Sequence, residues 1–101
     1  MTSTISHWVD NAVFAGSSAV TAPVTNPATG QTTGQVALAS VEDARVVIDA
    51  AAAAFPAWRD TSLAKRTQIL FAFRELLNER KGELAEIITA EHGKVVSDAL
   101  G

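Results

Sequence analysis

Cysteine is missing from all 101 residues. Its absence excludes a disulfide framework, a thiolate nucleophile and a thiolate metal site within the chain. Positive charge is scarce as well: 8 Lys and Arg against 11 Asp and Glu leave a net charge of −3. A nucleic-acid face needs clustered cations, and here the basic residues are interleaved with acids, so no nucleic acid is expected as a partner. No apolar run approaches the ~18 residues that a membrane span requires. The start, MTSTISHWVD, lacks the basic region and apolar run of a signal peptide. The expected location is the cytoplasm, without a membrane partner. The 6 glycines make no G-x-G-x-x-G, and Gly93-Lys94 lacks the upstream glycine and the following Ser or Thr of a phosphate loop. Gly30 and Gly34 have helix-dimer spacing but sit among turn and strand signals. No G-x-S-x-G elbow is present, so Ser17 and Ser18 read as turn residues.

What the chain does have is apolar surface. Hydrophobic residues make up 48% of it and charged residues 19%. A domain of this size buries only about 60–65% of its unfolded surface, so the balance implies partner surface beyond these residues. The clearest element is Ser40–Trp58, SVEDARVVIDAAAAAFPAW. Ser40 is a good helix N-cap, and Asp43 stands where the acid of a capping box stands. Glu42 and Asp43 also oppose the positive end of the helix dipole. Val41, Ala44, Val47, Ile48, Ala51 and Phe55 follow helical spacing and share one face. Ala50–Ala54 favour helix and permit close approach of another backbone. Pro56 marks the end of the helix or a kink.

The rest reads as α+β. Ile5–Val9 predicts a short strand, Asp10-Asn11 a turn, and Val13–Ala15 the return strand of a hairpin. Gly16-Ser17-Ser18 is a second turn, Val20–Thr25 a third strand, and Asn26–Gly30 a tight turn around Pro27. Gln35–Leu38 is a fourth strand. Strands and turns therefore occupy residues 5–38, and helices 40–58, 62–81 and 83–92. The second helix is capped at Thr61 or Ser62 and expected to bury Leu63, Ile69, Leu70, Phe73, Leu76 and Leu77, with Lys65, Arg66, Glu75, Glu79 and Arg80 on the wet side. Gly82 is expected to break or bend it. The third should bury Leu84, Ile87 and Ile88 and end at Gly93 in the left-handed conformation. A further helical turn begins near Val95 and stops at Gly101, which reads as a truncation, since an isolated turn is unstable.

Catalytic candidates are thin. His7 and His92 are far apart in sequence and read as a strand residue and a helix C-terminal residue. Glu42/Asp43 and Glu83/Glu86 read as carboxylate pairs on exposed helix positions. Trp8 and Trp58 read as anchors for the hairpin and for the helix end.

The order of these elements, with the stretches PVTNPATG, AFPAW, LAKR, FRELLNE and ITAEHGK, resembles the N-terminal part of an NAD(P)-dependent aldehyde dehydrogenase, from Ile5 to Gly101. The same stretches resemble the CoA-acylating methylmalonate-semialdehyde dehydrogenase branch in particular. The resemblance implies that residues 1–101 are one edge of a dinucleotide-binding domain in an α/β fold, and that the partner is the remainder of the same chain. For the parent enzyme it implies a dimer or tetramer with NAD and CoA as cofactors, and a role in valine catabolism. There a cysteine thiolate attacks the aldehyde, hydride passes to the nicotinamide, and CoA takes the acyl group of methylmalonate or malonate semialdehyde. The resemblance places the catalytic and cofactor-binding residues beyond Gly101, so the fragment alone is expected to be inactive and to bind neither cofactor. It carries over one site, a structural monovalent cation held by the Val24 and Thr25 carbonyls and by Glu91; oxygen ligands suit a hard cation. The chain departs from the wider family at Asp10-Asn11, where Asn-Gly is commoner, and at Val95, where many members have Pro. A hydrolytic branch of the same family and a free-standing helical interaction module are the alternatives.

Overall fold

A computed structural model describes residues 3–101. Five strands precede three helices: β1 (Ser3–Ile5), β2 (His7–Val9), β3 (Ala12–Phe14), β4 (Thr21–Thr25), β5 (Thr32–Ala37), α1 (Val41–Asp60), α2 (Leu63–His92) and α3 (Val96–Ala99). The chain divides into two compact units, Met1–Thr25 with Thr32–Arg59, and Asn26–Gln31 with Asp60–Gly101.

In the first unit, β2 and β3 form an antiparallel hairpin with Trp8 opposite Val13. Its two-residue loop has φ 50° at Asp10 and 62° at Asn11. Two successive positive φ values match the right-handed twist of the strands, and Asp and Asn tolerate them better than other side-chain-bearing residues. A separate sheet has the order β1-β5-β4. β5 pairs parallel with β1 and antiparallel with β4, with a bulge between Val24 and Thr25. The single strand expected over Ile5–Val9 is therefore two strands, parted at Ser6 and belonging to different sheets. The reason is the long-range parallel pairing of Ser3–Ile5 with Gly34–Val36, which local alternation cannot reveal. Gly34 permits it: a Cβ there would lie 3.1 Å from the Ser3 carbonyl oxygen.

α1 runs past Pro56 to Asp60. One missing N–H removes one backbone hydrogen bond, and the helix continues through the gap. Four residues apart, the Arg59 guanidinium lies 5.7 Å from the Phe55 ring centroid, a cation–π contact across the Pro56 turn.

In the second unit, Ser62 caps α2 by accepting from the Lys65 N–H at 3.2 Å. α2 is one unbroken helix of 30 residues, which corrects the expected division into 62–81 and 83–92. Gly82 costs about 1 kcal/mol relative to Ala in a helix, which long helical flanks tolerate. A Cβ at Gly82 would meet nothing within 4 Å, so no close approach demands a glycine there. α2 ends as expected: Gly93 has φ 87°, and its N–H donates to the Thr89 carbonyl.

The expected buried faces are not buried. Among the described residues Ala85 is the buried hydrophobic side chain, at 0% exposure, while Val41, Val47, Ile48, Phe55, Leu63, Ile69, Leu70, Phe73, Leu76, Leu77, Leu84, Ile87 and Ile88 are all exposed. The cover they need is not among these residues.

Candidate functional site

The best-satisfied polar cluster lies at the start of α1. Asp43 is 3% exposed, which corrects the reading of Glu42/Asp43 as an exposed carboxylate pair. Ser40 Oγ accepts the Asp43 N–H at 3.0 Å, and Asp43 Oδ2 accepts the Ser40 N–H at 2.9 Å. This is a complete capping box, with Asp in the place of the usual Glu. Oδ1 faces the loop after β3, accepting from the Ser17 N–H at 2.8 Å and the Ser17 hydroxyl at 2.9 Å. The two serine hydroxyls lie 3.1 Å apart. Each hydroxyl has one proton. Ser17 gives its own to Asp43, so Ser40 donates to Ser17. The three residues thus form a closed ring of hydrogen bonds with one direction. The Ser40 N–H is the main cause that holds the Asp43 carboxyl far below its ordinary range; burial opposes it, and the Ser17 donors reinforce it. Gly16 completes the clamp. Its φ is 77°, and a Cβ there would lie 2.9 Å from Asp43 Oδ2. Ser17 is therefore more than a turn residue. It joins the loop after the hairpin to the first helix, across 26 residues of sequence.

Beside this clamp, still in the first unit, a shallow apolar groove of about 240 Å³ runs between the hairpin and α1. Trp8, Val9 and Asp10 form one wall, and Val47, Ala50, Ala51 and Ala54 the other. Three alanines of the run thus line one wall of an open groove.

In the second unit, Asn26 organises its turn: its side-chain oxygen accepts from the Ala28 N–H at 2.9 Å, and its carbonyl accepts from Gly30 at 2.7 Å. The turn comes close to the end of α2, since a Cβ on Gly93 would lie 3.1 Å from Pro27 Cγ. Farther along α2, Phe73, Leu76, Leu77, Arg80, Glu83 and Leu84 line a second open groove of about 260 Å³.

The residues expected to hold a cation fall in both units. Val24 and Thr25 end β4 at the bulge, where the Val24 carbonyl already accepts the Thr33 hydroxyl at 3.2 Å. Glu91 is in the last turn of α2. Of the histidines, His7 in β2 lies 6.1 Å from the Phe14 ring, and His92 is the last residue of α2. Among the described residues, no three of His, Asp and Glu come together as metal ligands, and no helix is long and apolar enough to cross a membrane. This arrangement is a scaffold: a rigid polar clamp, ordered turns and uncovered apolar faces.

Comparison with known proteins gives that scaffold its context. The model of the aldehyde dehydrogenase family matches residues 14–101. Malonate-semialdehyde dehydrogenase of Pseudomonas aeruginosa is 46% identical over 67 residues, which are 66% of this chain and 14% of that protein. A solved structure with NAD from Sinorhizobium meliloti 1021, assigned as a methylmalonate-semialdehyde dehydrogenase, superposes with a TM-score of 0.95 at 40% identity. It is covered over 100% of this chain and 21% of its own. Aldehyde dehydrogenase C of Pseudomonas syringae, solved with NAD+ and octanal, gives 0.91 at 37% identity, over 96% of this chain and 20% of that one. The chain thus spans about a fifth or less of the relatives it matches. With a family model matched from Val13's neighbour Phe14 to Gly101, the chain belongs to the aldehyde dehydrogenase family.

Proposed function

We propose that these residues are the front part of an NAD-dependent, CoA-acylating dehydrogenase of malonate and methylmalonate semialdehydes, and serve it as scaffold at the edge of the dinucleotide-binding domain. The observation that carries the reading is the agreement along the entire chain with the Sinorhizobium meliloti structure, at 40% identity. The 46% identity to a malonate-semialdehyde dehydrogenase supports the same branch. A cytoplasmic homo-oligomer, with a place in valine breakdown, belongs to this proposal.

Bound to the full-length enzyme, NAD would supply a hydride acceptor. The residues described here do not fit the dinucleotide. A pyrophosphate sits best on the free N–H groups of a helix N-terminus, and at α1 the Asp43 and Ser40 side chains already occupy that end. The chain also has no cysteine to act as nucleophile. Its part in the reaction is therefore to hold other elements in place, and the reacting atoms come from the rest of the enzyme. A monovalent cation at Val24, Thr25 and Glu91 is proposed on the family resemblance alone. A melting temperature of the full-length enzyme that rises with K+ or Na+ at constant ionic strength would support it.

The test is NADH formation by the full-length enzyme from either semialdehyde, with and without CoA, and with products identified by mass spectrometry. Acyl-CoA formed only when CoA is present supports the acylating reading. Free carboxylate formed without CoA moves the protein to a hydrolytic branch, the second reading. No turnover of any aldehyde would overturn both.

A further inference from the structure

We draw no further inference here: the strongest candidate, the shallow groove between the β2–β3 hairpin and α1, lined by Trp8, Asp10, Ala50, Ala51 and Ala54, is an unpartnered apolar face, and nothing in the structure shows what covers it.

Discussion

The start of α1 and the long face of α2 solve the same problem in opposite ways. At α1 every strong polar group of the clamp has a partner within the chain: Asp43 takes the Ser40 and Ser17 donors, and the serines take the rest. At α2 a row of leucines and phenylalanines stands open. The difference follows from the kind of interaction. A hydrogen bond needs one or two atoms in the right direction, which a nearby loop supplies. Burying an apolar stripe needs area, at roughly 25 cal/mol per Å² removed from water, and this chain has too little surface of its own to supply it. Local polar order can therefore be complete where the hydrophobic core is not.

The largest effect that could break this contrast concerns the isolated chain. With its apolar faces uncovered, the 101-residue protein should bind a dye such as ANS strongly and melt without a sharp cooperative transition. A cooperative calorimetric melt of the monomer would show that the faces cover one another after all. Next, Gly16→Val should disrupt the clamp, since it forces a side chain to φ 77° and into Asp43 Oδ2. The cost is about 2 kcal/mol or more, read as faster hydrogen exchange at Ser17 and in the first turn of α1 of the full-length enzyme.

Acid probes the same clamp. The folded-state pKa of Asp43 lies below its ordinary 3.8, so its stabilisation is complete above the unfolded value and is lost as pH falls through and below it. First-turn amides of α1 should lose protection from about pH 4 downward. Asp43→Asn should remove that pH dependence while lowering protection at neutral pH.

Smaller effects sharpen the α2 side. Gly82→Ala should stabilise α2 by about 0.5–1 kcal/mol, without steric conflict because the space around it is open. Loss of stability would instead reveal a partner backbone pressed against that glycine in the full-length enzyme. Smallest of all, Arg45→Ala removes an exposed pair with Glu42 at 2.8 Å. It should change stability by no more than about 0.5 kcal/mol, and less at high salt.

Much of this was legible in the residues because it is local. Ser40 and Ser62 as caps, Gly93 as a left-handed stop, and the Asn26 turn each depend on neighbours within a few positions. The partnership of Ser17 with Asp43 was not legible. It spans 26 residues, and Gly16-Ser17-Ser18 looks like any polar turn. The division of Ile5–Val9 was hidden for the same reason, since strands three residues long are defined by their partners. Gly82 misled because glycine lowers helix propensity without forbidding helix.

From its sequence alone this protein determined where α1 and α2 begin, that a helix stops at Gly93, which residues share a helical face, and its kinship with aldehyde dehydrogenases. Those follow from capping chemistry, 3.6-residue periodicity and stretches of distinctive sequence. Tertiary structure alone decided that Asp43 is buried, that β1 lies parallel to β5, and that α2 runs on through Gly82. Each of these depends on which distant atoms meet, or on whether a weak point is bridged, and neither is written in any short stretch of residues.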